Sequence, residues 1–224
     1  MTWVAERLTA LAGAREIAHP PGLAVIAGAA IAAALVNDLA IYLPHWLQHR
    51  VRVLWEFHKV HHSAEVLTPF TVYRFHPVDD VLNLASIVTL VGAFDGLVLW
   101  CFPTASVRFT LLDVNAVVFA FYVFGVHLRH SHVWFAYPVA VSRIFISPAM
   151  HQIHHSTATE HQGKNLGLVF SVWDRLFGTL CIPTTRLELE YGLGDGEEKE
   201  FSSVRRLYWL PFVKVLGLFR PPER

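Results

Sequence analysis

The sequence predicts an all-α integral membrane protein: a helical bundle with about three spanning helices and a cytosolic, histidine-rich helical cap. Three observations predict it. Charge is scarce, with 16% charged residues against 54% hydrophobic ones in 224 residues, where a soluble domain carries about 25% charge. Three apolar runs each approach or exceed the length of about 20 residues that a bilayer core requires. Histidines gather in clusters at helical spacing just outside those runs, and on a helix the positions i, i+3 and i+4 share a face with Cβ atoms about 5–6 Å apart.

Residues 1–22 form an N-terminal segment. Val4, Leu8 and Leu11 fall on one side of a short amphipathic helix over 1–19, which suits an interfacial position. Pro20-Pro21-Gly22 then breaks the pattern. Glu6, Arg7 and Glu16 precede the first apolar run and no small-residue cleavage site follows, so no cleavable signal peptide is expected. The run 23–43 is the first predicted span, with Asn37 and Asp38 near its polar end. Pro44 leads from it into His45 and His49. The segment 50–80 is polar, basic and aromatic, and Thr68-Pro69 marks a turn. Runs 81–101 and 107–126, joined by Phe102-Pro103-Thr104-Ala105-Ser106, read as a hairpin crossing twice. Asp95 and Asp113, inside that hairpin, read as helix–helix polar contacts or interface positions. Residues 133–147 are too short to span, and Asp174-Arg175 in the middle of 166–182 argues against a span there. The membrane domain therefore covers 23–182. Residues 183–224 comprise an exposed charged loop and an apolar-aromatic interfacial helix over 207–219.

Loop charge orients the chain. The 45–80 segment holds four Lys or Arg, the stretch from 127 onward holds eleven, and the hairpin tip 102–106 holds none. Two crossings return the chain to the side it left, so both histidine-rich segments face one compartment. The positive-inside rule makes it the cytoplasm. A formal net charge of zero argues against nucleic acid as a partner. Cys101 and Cys181 make neither a disulfide framework nor a CxxC pair.

The chemistry sits in His58-x-x-His61-His62, its echo His151-x-x-His154-His155, and His45-x-x-x-His49. Each cluster can aim two or three imidazoles at one point. Eight aimed imidazoles exceed the four ligands of a tetrahedral zinc and suit two ions that keep open positions. All-imidazole coordination favours iron, copper or zinc over magnesium or calcium. A pair of irons with open positions is the arrangement expected for O2 activation, whereas zinc, which has no redox chemistry, would mean hydrolysis. Gly192-Leu193-Gly194-Asp195-Gly196 lacks the strand and helix of a dinucleotide motif. Electrons must then come from an external donor, such as a cytochrome b5-type protein or a ferredoxin with its reductase.

These residues resemble the fatty acid hydroxylase/sterol desaturase superfamily of membrane di-iron enzymes. Asp38-x-x-x-Tyr42-x-x-His45-x-x-x-His49 resembles its first box and Leu54-Trp55-x-x-His58-x-x-His61-His62-Ser63 its second. Arg74-Phe75-His76-Pro77 resembles the tract that follows. Ser147-Pro148-x-x-His151-x-x-His154-His155-Ser156 resembles the third box, and Trp173-Asp174-Arg175-Leu176-Phe177-Gly178-Thr179 the closing motif, which carries no obvious chemistry. The resemblance implies metal ligation by His45, His49, His58, His61, His62, His151, His154 and His155. His130 lines up with a further family histidine. His76 and His127 rank second, as ligands or as partners of ligands, and His132 and His161 read as surface or hydrogen-bonding residues. The resemblance also implies two iron ions, O2 as co-substrate and a lipid substrate drawn from the bilayer. Pro44, Trp46, His132 and Leu166 depart from the family pattern without removing a ligand. The alternatives are a zinc-dependent membrane lipid hydrolase, for which Glu56 is the only candidate base within a box, and a non-catalytic metal-binding membrane protein.

Overall fold

The computed structural model describes residues 2–15, 21–103, 110–111, 114–115, 119 and 125–220. Two long helices organise them. Helix α2, Leu23–Arg50, and helix α4, Pro77–Cys101, are both long and apolar enough to cross a membrane. Only 17% and 6% of their most apolar windows are buried within the chain. A core helix of a soluble protein would hide those faces, so the apolar surface of α4, with Val81, Leu84 and Val88 more than 60% exposed, calls for lipid. The third expected span, 107–126, lies mostly outside the described residues, as does Asp113. Within it, Thr110–Leu111 (β1) pairs antiparallel with Val114–Asn115 (β2). Every longer regular element among the described residues is a helix.

Helix α2 does not stop at Pro44, although proline costs it the hydrogen bond to the carbonyl four residues back. It continues to Arg50. At about 1.5 Å per residue its length of ~42 Å exceeds a hydrocarbon core of about 30 Å by roughly two turns. Those extra turns carry His45 and His49. Val51 alone, in extended conformation, separates α2 from α3, Arg52–His62. The single break turns α3 back against α2, and α3 buries every residue from Glu56 to His62. Helix α4 opens with His76 as its cap: its Nδ1 accepts from the Val78 N–H at 3.1 Å. Pro77 at the first helical position and Asp79 and Asp80 in the first turn complete the signal.

Helix α1, Thr2–Ala12, packs on α4. Its buried residue is Ala5, while Leu11, on the side expected to be apolar, is 85% exposed. After α4 come short helices: α5 Val126–Arg129, α6 Val139–Ser142, α7 Pro148–His154 and α8 Val172–Phe177. Helix α7 is capped by Ser147 and buried along its entire length. Helix α9, Val204–Leu218, lies where an interfacial helix was expected and packs on α3. The preceding loop is more ordered than its charge suggested. Residues Glu197–Phe201 form a 3-10 turn, Phe201 is buried, and Glu197 bonds both Lys59 and Lys214.

Candidate metal centre

All nine histidines singled out as candidate ligands converge. His45, His49, His58, His62 and His154 form one group, and His61, His130, His151 and His155 a second. Within each group the ligand nitrogens lie within 4.8 Å of one another. The groups adjoin: the rings of His62 and His155 are 4.6 Å apart, and those of His154 and His155 5.1 Å. Residues 58–62 and 151–155, ninety-odd positions apart in sequence, therefore meet in space.

Each His-x-x-His-His cluster aims two of its imidazoles at one point and the third at the other group. At about 100° per residue, positions i and i+4 point together while i+3 and i+4 diverge. His58 and His62 accordingly serve the first group and His61 the second. In α7 and its C-cap the pattern inverts, with His151 and His155 in the second group and His154 in the first. Each motif thus bridges both groups. His45 and His49, four apart on α2, complete the first, and His130, just beyond α5, completes the second.

Backbone carbonyls fix the tautomers. Nδ1–H of His45 donates to the Leu166 carbonyl at 2.8 Å, and that of His154 to the Lys164 carbonyl at 2.9 Å. A carbonyl only accepts, so both Nε2 atoms carry bare lone pairs. Those two atoms face each other at 3.1 Å. Nδ1 of His61 and of His130 likewise donate to the carbonyls of Arg74 and Val126 at 3.3 and 3.2 Å. Their Nε2 atoms meet at 3.2 Å. Lone pairs at such separations repel unless a cation lies beside them. Two metal–imidazole bonds of about 2.0–2.1 Å at right angles hold their nitrogens about 3.0 Å apart, which matches the spacing found here. The Nε2 of His49, both nitrogens of His58 and the Nε2 of His62 are buried without a hydrogen-bond partner, which leaves them available as donors to an ion. Burial first, and neighbouring imidazoles second, hold His58, His61, His62 and His155 well below the usual histidine range. Burial, with Arg129 next, pushes His130 down to about 3. Neutral imidazole is the form that ligates metal, so the donor set fits a pair of transition-metal ions.

The closing motif acquires a role that the sequence did not disclose. Asp174 accepts from the backbone N–H groups of Leu166 and Gly167 at 2.8 and 2.9 Å and from Thr179 Oγ1 at 2.6 Å. It thereby clamps the loop whose carbonyls orient His45 and His154. A Cβ on Gly167 would sit 2.5 Å from the Phe170 carbonyl and 2.9 Å from the Asp174 carboxylate, so this approach requires glycine. Asn165, at φ 53°, bonds the backbone of Met150 and Cys181 through its side chain. Asp38 turns out not to face an interface. It is 1% exposed and accepts from the N–H groups of Val169 and Phe170 at 2.7 and 3.2 Å. Tyr42 reaches Thr179 at 2.9 Å. The polar residues of the first box therefore anchor the same loop.

The remaining candidates lie outside both groups. His76 uses Nδ1 to cap α4, and its Nε2–H donates to the Tyr208 carbonyl at 3.1 Å. His127 contacts the Pro69 carbonyl at 3.4 Å. His132 is exposed and His161 bonds Ser156. Glu56 pairs with Lys59 at 2.8 Å. Among the described residues no carboxylate joins either group. Asp79 comes nearest in role, 3.7 Å from His58 Nδ1 and bonded by Gln48 at 2.7 Å.

Two cavities reach the histidines. One, of about 420 Å3, opens between α2, α4 and α5 along Ile41, Phe75, Ile87 and Val126 and touches His45, His58, His61, His130 and His151. The other, of about 560 Å3, is polar and touches His49, His62 and His154.

Two helices apolar enough to cross a membrane and two adjoining all-histidine groups that could each hold an ion define the class: a membrane-type helical fold built around a candidate metal centre. The fatty acid hydroxylase family profile matches residues 30–179, and the chain belongs to that family. It is 27% identical over 170 residues to an ornithine lipid hydroxylase of Rhizobium tropici, a match covering 75% of this chain and 46% of that protein. It is 30% identical over 153 residues to a Delta(7)-sterol 5(6)-desaturase of Saccharomyces cerevisiae, covering 67% and 35%. It is 28% identical over 149 residues to the lathosterol oxidase of Mus musculus, covering 66% and 44%. The chain thus spans less than half the length of these curated relatives. No solved structure matches it. The printed names of these relatives are those of a hydroxylase, a desaturase and an oxidase.

Proposed function

We propose that the chain is a di-iron oxidoreductase that uses O2 and externally supplied electrons to hydroxylate or desaturate a C–H bond of a bilayer lipid. Its catalytic domain is 23–182, its bundle crosses the membrane three times, and its metal site lies on the cytoplasmic side. In this reading His45, His49, His58, His62 and His154 hold one iron, and His61, His130, His151 and His155 the other. The observation that carries it is the set of bare imidazole nitrogens facing one another at about 3 Å. When bound, such an iron pair supplies the capacity to reduce O2 and oxidise an unactivated C–H bond.

The chain's own residues bind, orient and exclude. Backbone carbonyls keep the ring protons on the outer nitrogens, second-layer contacts of the kind that tune metal sites. The apolar cavity gives a hydrocarbon segment access to five of the histidines, and a segment bound there displaces water from that side. Hydroxylation consumes O2, two electrons and two protons and yields an alcohol and water. Desaturation consumes the same and yields an alkene and two waters. Which occurs depends on how the C–H bond is held, and displacement of about an ångström alters rates substantially.

A zinc hydrolase fits less well. Five imidazoles exceed the zinc tetrahedron, and the candidate base, Glu56, is tied to Lys59. Metal analysis of anaerobically purified protein tests the choice: two irons per chain with an O2-reactive absorption band are expected. Two redox-silent zincs after expression in ample iron would overturn it. Lipid profiles of cells with and without the gene then identify the oxidised product.

A further inference from the structure

The two cavities meet the centre through separate sets of histidines and differ in character. The polar one is lined by Arg50, Arg52, Lys59 and Lys164 against the single acid Asp195. Lys59 is neutralised by Glu56 and Glu197. Arg50 and Arg52 are exposed, and the Arg50 guanidinium rests over the Trp46 ring at 5.2 Å. The chain as a whole is neutral, so this positive surface is local. Ligation by neutral imidazoles alone leaves the charge of any bound ions uncompensated, which adds to the positive field in the same mouth. Trp55 also lines it, with its ring 5.2 Å from His49 and 5.4 Å from His62. It is an aromatic bridge from the basic rim to two candidate ligands.

We infer that this mouth is the docking surface for an acidic one-electron carrier protein, which would be oxidised as its electrons pass Trp55 to reduce the iron that His49, His62 and His154 would help to hold, while the lipid occupies the apolar cavity. The inference rests on the oxidoreductase reading proposed above. A folded carrier is too large to enter 560 Å3 and sits over the rim, where complementary charge raises the encounter rate and is screened by salt. The walls around the cations are mainly polar, Thr157, Gln162 and Gly163 among them, with Val51, Trp55 and Leu193 the apolar exceptions, which favours a protein over a lipid with its acyl chain.

The test uses Arg52→Glu in metal-loaded protein in nanodiscs. Arg52 is exposed at the start of α3, where an acidic side chain suits the helix dipole, so folding and iron content should hold. The probe is the soluble haem domain of cytochrome b5, an acidic carrier. Its binding is measured by titration calorimetry and its oxidation by stopped flow. At low ionic strength the variant should bind it about tenfold more weakly and oxidise it about tenfold more slowly. The gap should close near 0.5 M salt, and reduction by dithionite should be unchanged. Equal binding at low salt, or a salt-independent rate, overturns the docking site. So does a variant that loses affinity for anionic vesicles but not for the carrier, which assigns the mouth to lipid headgroups. If dithionite fails to reduce either protein, the oxidoreductase reading itself falls, and that outcome is distinct from loss of carrier binding alone.

Discussion

Replacing Asp174 tests whether the closing motif serves the metal centre. Its carboxylate is fully buried and accepts from two backbone N–H groups and one hydroxyl. Asn at this position keeps the shape, but its amide has one acceptor oxygen and sets an NH2 against at least one of those donors. One or two buried donors lose their partner, at about 1–3 kcal/mol each, so Asp174→Asn should cost ~2–5 kcal/mol of stability. The loop from 164 to 167 then loosens, and with it the carbonyls that hold His45 and His154. Removing such support for metal-ligating histidines typically costs about 10–100-fold in metal affinity. The assay is iron retention against a graded chelator, alongside thermal unfolding with and without iron. Iron should leave at a lower chelator concentration, and the stabilisation conferred by iron should shrink. Unaltered iron retention in a variant that unfolds several degrees lower would refute the link and leave Asp174 a purely structural residue.

Other predictions follow from the same geometry. His61→Ala and His62→Ala alter adjacent residues but opposite groups, so each should retain about one iron with different spectroscopic signatures, and both should lose activity; identical spectra would contradict the split. His154→Ala should behave as His62→Ala does. In metal-free protein, the depressed imidazole pKa values mean that the unfolded chain, with histidines near the ordinary ~6.5, takes up protons first. Stability should therefore be complete above about pH 6.5 and fall as pH drops below it, by up to ~1.4 kcal/mol per pH unit for each buried histidine. Unfolding midpoints at pH 7.5 and 5.5 measure this, and equal midpoints would contradict it. Lys59, 5% exposed, neutralises the buried Glu56 as well as Glu197. Lys59→Met should cost ~3–5 kcal/mol by stranding Glu56, whereas Glu197→Gln, at the partly exposed end, should cost under ~1 kcal/mol; equal losses would show that Glu56 escapes to solvent.

By itself the sequence determined the two long apolar helices, the family, and the nine histidines, because each is written in local pattern: run length, helical spacing and motif. It also placed His45 and His49 beyond the first apolar run, and α2 is indeed longer than a hydrocarbon core requires. It did not determine which histidine faces which partner. Adjacent His61 and His62 look equivalent in a motif, and only their helical phase against α2 and α7 assigns them to different groups. Nor did it reveal Asp38, Asn165 and Asp174 as supports, although Asp38 and Asp174 stand inside recognised motifs. Their partners are backbone N–H and carbonyl groups, which every residue possesses and no sequence marks, so tertiary packing alone selects which ones they meet.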